Sequence, residues 1–378
     1  GQEIKQANQY QSTRGKLLRS PWKFTQHGQN GLWISELLPN LARHADKLCL
    51  MNGMHTDLPS HPHSFVKMHT GNSQFVRPSL GAWTLYGLGT ESRNLPGFIV
   101  LNPSSGNGGA QNYGSAFLPA IYQATPISGS SGQISNIANR RMSRERQRMQ
   151  LDLVQGLNQG RLRQKQVDPN LESVIDSLEL AFKMQTEVPQ LMNVYKESSS
   201  VRRAYGIGSR STDSFGKQCL LARRMAEAGV RFIELNSGGW DHHRGLKSGM
   251  ERNCRAIDKP IAALLADLEK RDMLKDTLVM WGGEFGRTPH GESDDGRDHN
   301  NRGYTMWMAG GGVKGGMRYG QTDEYGFAAV DGRMHIHDWH ATVLHLLGLD
   351  HKKLTFHYSG RDFRLTDVHG NVAKEILA

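Results

Sequence analysis

Apolar residues in this chain fall into short continuous runs that alternate with segments of helical periodicity, most clearly after residue 211. The run at 230–235 is rich in β-branched and aromatic residues and leads into Gly238 and Gly239. Such a run is typical of a buried strand that ends in a tight turn. The runs at 277–281 and 304–309 have the same character and predict two further strands.

Helical periodicity fills the segments between and after these strands. It predicts helices at 211–228, 250–274 and 338–347, and Gly229 and Gly348 suit the ends of the first and the last of them. Helices that alternate with buried strands favour an α/β fold. We therefore expect a mainly parallel sheet sandwiched by helices.

The first 200 residues have weaker patterns. An apolar helical stretch is expected around 37–50, and residues 140–200 predict two long polar helices with a break at Asp168-Pro169. Residues 72–135 are rich in Gly, Ser, Asn and Pro and predict a loop-rich insertion. We expect a single α/β domain over residues 1–378 that contains both segments.

The formal net charge of the 378-residue chain is +10, which makes nucleic-acid binding a hypothesis to weigh. Much of the positive charge lies in one stretch without aromatic residues: Arg140, Arg141, Arg144, Arg146, Arg148, Arg161, Arg163 and Lys165. Because binding to single strands uses aromatic stacking, a solvated helical face is the favoured interpretation. No apolar run is long enough to span a membrane.

The three cysteines, Cys49, Cys219 and Cys254, are an odd set without short spacing. Neither a disulfide framework nor a cysteine zinc site is expected from them. Cys219 and Cys254 lie in helical patterns, which predicts core positions for both.

Residues with metal-ligand chemistry follow the predicted strands. Asp241 and His243 come after the strand at 230–235, and two-residue spacing in extended backbone directs both side chains to one face. Glu284 follows the strand at 277–281, and Asp298 and His299 lie in the glycine-broken loop beyond it. Open α/β sheets keep their sites at such strand ends.

A further histidine cluster precedes the last predicted helix. His335 and His337 should share a face by the same two-residue spacing, Asp338 is suited to cap the helix, and His340 and His345 are interpreted as structural. Mixed imidazole and carboxylate ligands suit zinc, manganese or iron better than calcium. Each cluster alone could be a hydrogen-bonded pair. Together they predict a site for one or two divalent ions, with zinc or manganese favoured.

The order of these motifs resembles the alkaline phosphatase and sulfatase superfamily. It resembles most closely the bacterial sulfatase-like family known as domain of unknown function 1501. The resemblance runs from His55 to the end of the chain. Its marks are Ser60-His61, His69-Thr70-Gly71, Gly239-Trp240-Asp241-His242-His243, Gly283-Glu284-Phe285-Gly286-Arg287, Asp298-His299 and the segment 340–348.

The resemblance implies a metal-dependent hydrolase of phosphate or sulfate esters that acts on a small anionic substrate. It implies that Arg287 helps to neutralise that substrate. Phe285 stands where the superfamily has a histidine, which leaves Asp298 and His299 to supply the missing pair. The implied metal ligands are Asp241, His243, Glu284, Asp298, His299 and the late histidine His335 or His337.

The nucleophile differs from that of sulfatases, which place a cysteine, the precursor of formylglycine, ahead of a Thr-Gly pair. When this chain is anchored on Thr70-Gly71, His61 stands at the cysteine position and Ser64 at the serine of the pattern. Formylglycine chemistry is therefore not expected. Ser60, next to the aligned position, is the candidate nucleophile, and His61 is a candidate to bind a metal or the transferred group.

Superfamily members begin with a strand that ends in an aspartate ligand, and no such strand is recognisable near the start of this chain. We therefore expect it upstream of Gly1, together with an export signal, and the resemblance implies a periplasmic or extracellular location. Two other hypotheses remain open. One is a non-catalytic protein that keeps the fold and a metal, and the other is a nucleic-acid-binding module.

Overall fold

The computed structural model describes residues 16–92, 94–128, 141–164, 169–293 and 295–378, and for 161–164 and 169–173 it describes the backbone alone. The predicted break at Asp168, and Arg140 and Lys165 of the basic stretch, lie outside these residues. The helices are α1 (His61–Thr70), α2 (Leu80–Leu88), α3 (Arg144–Gln164), α4 (Pro169–Met192), α5 (Ser199–Ala204), α6 (Asp213–Glu227), α7 (Leu246–Lys270) and α8 (Ile336–Leu346).

Sixteen strands lie among the described residues, many of them short. They are β1 (Phe24–His27), β2 (Leu32–Ser35), β3 (Leu48–His55), β4 (Phe98–Leu101), β5 (Thr125–Ile127), β6 (Phe232–Leu235), β7 (Val279–Trp281), β8 (Gly286–Arg287), β9 (His299–Asn300), β10 (Tyr304–Ala309), β11 (Met317–Tyr319), β12 (Gln321–Thr322), β13 (Ala329–Asp331), β14 (Met334–His335), β15 (Phe356–Tyr358) and β16 (Arg361–Phe363). The α/β class expected from the sequence is confirmed.

The largest sheet has five strands and is mixed. β3 pairs in parallel with β11 and β14, and it pairs antiparallel with β10, which also pairs antiparallel with β7. The mainly parallel sheet expected from the sequence is therefore interrupted by β10. The described residues between β7 and β10 contain no helix, and an antiparallel neighbour needs no helical crossover.

Helices cover both faces of this sheet. Met306 and Met308 of β10 pack into a core with Trp83 of α2 and Trp339 of α8. The alternate residue Trp307 packs into a second core that contains Ile261 and Leu265 of α7. Successive residues of a strand point to opposite faces, so β10 contributes to both cores.

A second, fully parallel sheet has the order β5–β4–β6. Its central strand, β4, is buried along its whole length. The segment 72–135, expected as a loop-rich insertion, thus supplies α2, β4 and β5 to the core. The sequence pattern conceals β4 because the strand is only four residues long and its flanks are rich in turn residues.

The predicted strands and helices after residue 211 are confirmed with shifted ends. The strand predicted at 230–235 is β6, that at 277–281 is β7, and that at 304–309 is β10, while the three predicted helices are α6, α7 and α8. The two long polar helices predicted at 140–200 are α3 and α4. None of the helices in the described part of the chain has the length and apolar character needed to cross a bilayer.

The apolar stretch around 37–50 is only partly helical. A 3-10 helix spans Leu41–Lys47, and β3 begins at Leu48. Cys49, Met51 and Met54 of this strand are fully buried. A central strand that is buried on both faces has a continuous apolar pattern, which the sequence alone does not separate from a helix.

Cys49, Cys219 and Cys254 are all buried free thiols. The core positions predicted for Cys219 and Cys254 are confirmed. Burial raises the pKa of the Cys49 thiol to about 12 and that of the Cys254 thiol to about 11. These cysteines therefore act as small apolar residues.

Candidate metal centre

Asp241, His61 and His299 come together from three distant parts of the chain. Asp241 lies in the loop after β6, His61 begins α1, and His299 lies in β9. The imidazole Nε2 atom of His61 is 3.2 Å from Oδ2 of Asp241, and the Nε2 atom of His299 is 3.2 Å from Oδ1. One ligand atom from each residue lies within 4.8 Å of the others, so the three could hold one metal ion.

His243 completes this group. Its Nε2 atom is 2.9 Å from Oδ1 of Asp241 and 3.0 Å from Nε2 of His299. The sequence prediction that Asp241 and His243 project to one face is confirmed by this contact. Three imidazole Nε2 atoms therefore meet around one carboxylate.

The other nitrogen of each ring faces a hydrogen-bond acceptor. The pairs are His61 Nδ1 with Glu284 Oε1 at 2.5 Å, His243 Nδ1 with Glu292 Oε2 at 2.5 Å, and His299 Nδ1 with the Pro59 carbonyl at 2.8 Å. An acceptor at Nδ1 holds the ring proton there. In each neutral ring Nε2 then carries a lone pair that is directed toward Asp241.

Three lone pairs and a carboxylate in such close contact repel one another unless a proton or a metal cation lies among them. Histidines that bind metal ions typically donate the other ring N–H to a carboxylate or a backbone carbonyl, which fixes the ring and raises its basicity. All three histidines have that arrangement here. The donor set of imidazole nitrogen and carboxylate oxygen fits zinc or manganese.

A second group of possible ligands adjoins the first. It consists of His243, Glu292 and Asp298, whose ligand atoms also lie within 4.8 Å of one another. His243 contacts Asp241 through Nε2 and Glu292 through Nδ1, so it links the two groups. The two ligand groups are therefore adjacent, and the second group could hold a second ion.

Arg287 donates to the same carboxylate. Its Nη2 atom is 2.6 Å from Oδ1 of Asp241, and its Nη1 atom is 3.3 Å from the Arg297 carbonyl. Burial alone would raise the pKa of Asp241, but the hydrogen bond and positive charge of Arg287 outweigh it and hold that pKa well below its usual range. Asp241 is thus kept as an anion, the form that binds a cation.

Glu284, predicted as a metal ligand, lies behind His61 as the acceptor of its Nδ1–H group. Phe285 packs against two of the histidines, with its ring centroid 4.9 Å from that of His61 and 4.6 Å from that of His299. Through these contacts Glu284 and Phe285 orient the His61 ring. Both hold His61 in place rather than facing Asp241.

The two serines near His61 differ in their surroundings. The Ser60 hydroxyl lies 3.1 Å from Nδ1 of His63 and makes no capping hydrogen bond to α1, although Ser60 is the N-cap residue. Ser64 is buried, and its hydroxyl donates to the Leu58 carbonyl at 2.5 Å. Of the two, Ser60 has the more accessible hydroxyl and an imidazole beside it.

His335 and His337 belong to a different cluster from Asp241. Their ring centroids are 5.1 Å apart, and further ring contacts join His335 to His55 and His337 to His340 and His369. The two rings lie side by side as expected, but α8 begins at Ile336, so the two-residue spacing of a strand is not what brings them together. His335 is instead the N-cap, and Asp338 completes a capping box from the third helical position.

The late histidines lie in an environment that opposes charge. Burial lowers the pKa of His335 to about 4, and burial together with neighbouring His340 and Lys67 lowers that of His337 to about 2. His335 Nε2 is 3.0 Å from Oδ1 of Asp57. Among the described residues, no hydrogen bond or ring contact joins this cluster to Asp241 directly.

Glu292 was not predicted from the sequence as a site residue. A signal for it exists, because Glu292 follows Gly291 in the same glycine-broken loop that drew attention to Asp298 and His299. The pair formed by His69 and Glu234 was not predicted either. The Nε2 atom of His69 lies 3.3 Å from Oε1 of Glu234. Burial tends to lower the pKa of His69, but the neighbouring Glu234 carboxylate outweighs it and raises that pKa.

Two cavities open beside the site. One, of about 250 Å³, is lined by Asp57, Pro59, Thr288, Asp298, His299, Asn300, Asn301, Arg302 and Phe327. The other, of about 710 Å³, has Arg287, Arg297 and Arg19 in its wall. A ligand in the smaller cavity would contact His299, and a ligand in the larger one would contact arginines.

A comparison with protein families matches residues 1–377 to the family described as "Protein of unknown function (DUF1501)". No curated protein matches the chain.

Proposed function

The chain belongs to the DUF1501 family, and we propose that it is a metal-dependent hydrolase of phosphate or sulfate esters with an alkaline-phosphatase-like arrangement of its site. One observation carries the proposal. The Nε2 atoms of His61, His243 and His299 meet around the Asp241 carboxylate, while an acceptor holds the proton on each Nδ1 atom. That set of donors has the form of a ligand shell.

Asp241, His61, His243 and His299 would hold a zinc or manganese ion, and Glu292 with Asp298 would take part in holding a second. When bound, a divalent ion lowers the pKa of water and neutralises negative charge on a phosphoryl or sulfuryl group. Glu284 and Glu292 orient the rings. This division of roles follows the usual pairing of metal-bound histidines with outer carboxylates.

The surroundings of the site suit a small anionic ester. The 250 Å³ cavity beside His299 has Arg302 in its wall, and Arg302 also lies over the Phe327 ring at 5.6 Å. Arginine pairs bidentately with phosphate or sulfate oxygens. Ser60 is the candidate nucleophile, and its neighbour His63 is placed to accept the hydroxyl proton.

The experiment is a hydrolysis assay with p-nitrophenyl phosphate, bis-p-nitrophenyl phosphate and p-nitrophenyl sulfate, each with added zinc or manganese. We expect metal-dependent turnover of at least one ester. We expect His299→Gln to lower kcat/KM by about 100-fold or more, since it removes an inward-facing lone pair. His357→Gln, a change at an exposed histidine, is the matched control and should retain activity.

A second function, metal binding without catalysis, is favoured by one contact. Arg287, the residue expected to neutralise the substrate, donates to Asp241 at 2.6 Å. Protein that binds metal but turns over none of the three esters would support this second function. Protein that shows neither metal binding nor turnover would exclude both.

A further inference from the structure

The larger cavity beside the metal centre, of about 710 Å³, is lined by positive charge. Three of the described residues in its wall are arginines, and none of them is acidic. The arginines are Arg19, Arg287 and Arg297, and the rest of the wall is formed by Leu17, Leu18, Pro289, Tyr325 and Gly326. We call this space the arginine cavity. Fixed charges of one sign around a concave surface concentrate anions there.

Arg297 is a partly buried cation whose hydrogen bonds go to backbone carbonyls. Its Nη1 atom donates to the Thr288 carbonyl at 2.6 Å, and its Nη2 atom donates to the Leu18 carbonyl at 2.7 Å. Burial lowers the pKa of Arg297, and no ion pair with a described residue offsets the cost of burying this charge. These two bonds use two of the five N–H groups of the guanidinium. An anion in the arginine cavity would supply the missing opposite charge.

Arg287 belongs both to the wall of the arginine cavity and to the metal centre. Its Nη2 atom donates to Oδ1 of Asp241 at 2.6 Å, and its Nη1 atom donates to the Arg297 carbonyl at 3.3 Å. A single side chain therefore separates the Asp241 carboxylate from the cavity. A ligand held by a metal ion at Asp241 would reach the cavity across a short spacer, such as one aromatic ring.

The segment before β1 brings Arg19 to the cavity. The Leu18 N–H group donates to the Pro289 carbonyl at 2.9 Å, and Leu17 forms an antiparallel bridge with His290. These contacts tie the segment to the loop between β8 and β9, the same loop that carries Arg297. Arg19 is exposed, so its side chain is available to a ligand that enters the cavity from solvent.

The chemistry of the wall fits an oxyanion attached to a small carbon skeleton. The planar guanidinium fork of arginine matches the oxygens of a carboxylate, sulfate or phosphate group. Leu17, Pro289 and Tyr325 offer apolar and aromatic surface beside the three charges. The volume lies in the range of cavities that bind small molecules. A cationic ligand is disfavoured, because all three charged groups in the described wall would repel it.

We propose that the arginine cavity binds a second oxyanion of the substrate, on the same molecule as the ester that lies at the metal centre. This inference rests on the proposed hydrolase function and narrows its substrate class. The substrate is a small molecule with two anionic groups that are joined by a short, mainly apolar skeleton. Arg19 and Arg297 bind the group that is not cleaved, so they determine specificity and take no part in the hydrolytic step.

The test is isothermal titration of the zinc-loaded full chain with two phosphonates that cannot be hydrolysed. One is 4-carboxyphenylphosphonate, and the other is 4-carbamoylphenylphosphonate, which has the same shape but a neutral amide in place of the carboxylate. We expect wild type to bind the carboxylate probe about 10-fold or more tightly than the amide probe, since only the carboxylate pairs with the arginines. The ratio of the two Kd values isolates the effect of the second charge.

Arg19→Glu reverses one charge of the cavity at an exposed position, so it should leave folding intact and abolish the preference for the carboxylate probe. Arg210→Glu makes the same charge change at an exposed arginine outside the cavity and should keep the preference.

Two results would overturn the inference and leave the hydrolase function standing. They are equal Kd values for the two probes in wild type, and a preference that survives in Arg19→Glu. Titration of the metal-free chain with the amide probe tests the metal centre separately. An amide probe that binds equally well with and without zinc would contradict the proposed function, and this inference would fall with it.

Discussion

At the scale of single residues, the protonation of each histidine follows from what its two nitrogens contact. His61, His243 and His299 each have an acceptor at Nδ1 and direct Nε2 toward Asp241. His340 is different, because its Nε2–H group donates to the Met68 carbonyl at 2.7 Å and its Nδ1 atom is buried without a partner. The first three suit a cation, whereas His340 suits a neutral ring in the core.

The sequence identified most of the residues that meet at the site but not the position of Glu284 behind His61. Asp241, His243, Asp298 and His299 were recognisable because acids and histidines at strand ends are poorly suited to packing. The outer role of Glu284 depends on the approach of His61 from α1, 223 positions away. No local pattern carries that information.

The burial of His340 should make the free energy of unfolding depend on pH. Burial lowers its pKa from the ordinary value of 6.5 to about 3, so at mildly acidic pH the unfolded chain binds a proton that the folded chain does not. Stability is therefore full above about pH 6.5 and falls as the pH decreases toward 3. Between pH 6.5 and 5 the loss from this residue is about 2 kcal/mol.

Urea unfolding of wild type and His340→Gln at several pH values measures this effect. Glutamine keeps a donor for the Met68 carbonyl but cannot be protonated, so the variant should lose less stability than wild type on acidification. His357→Gln, at an exposed position, should leave the pH dependence as it is. Equal slopes for wild type and His340→Gln would show that His340 is not the group that titrates.

At the scale of elements, long periodic segments were predicted well and short buried strands were not. α6, α7 and α8 have amphipathic patterns of three turns or more, which a sequence displays directly. β3 was hidden because it follows the 3-10 helix directly and its apolar run, Leu48–Met51, is short. The start of α8 was missed because histidine is an uncommon N-cap residue.

A single added methyl group in the loop between β8 and β9 should weaken metal binding. Gly296 lies against the backbone of His243, and a Cβ atom there would be 1.8 Å from the His243 carbonyl oxygen. Gly296→Ala should therefore separate two parts of the site. One is the loop that carries Glu292, Asp298 and His299, and the other is the segment that carries Asp241 and His243. We expect the affinity for zinc to fall by about 10-fold or more.

Gly291→Ala is the matched control in the same loop. Its Cβ atom would make only ordinary contacts, at 3.7 Å or more, with Leu18. Isothermal titration of metal-free protein with zinc compares the two variants. An affinity that is equally reduced in both, or unchanged in Gly296→Ala, would refute the role of this close approach.

At the scale of the whole molecule, the site is formed where several elements that are distant in sequence come together. The α/β class followed from the alternation of helices and strands, but the direction of β10 did not, since it depends on which strands become neighbours. The separation of His335 and His337 from Asp241 could not be predicted from the sequence either. It is fixed by the pairing of β14 with β3, a contact between residues about 280 positions apart.

We propose that Asp241 and the histidines around it bind a divalent metal ion. The most direct measurement is elemental analysis of purified full chain after dialysis, for wild type and for Asp241→Ala/His243→Ala. The control, Asp362→Ala/His357→Ala, removes an exposed Asp–His pair with a 2.8 Å contact elsewhere on the surface. We predict about one or two equivalents of zinc or manganese in wild type and control and almost none in the Asp241→Ala/His243→Ala protein. Wild-type protein without metal, or equal metal in all three proteins, would contradict the account.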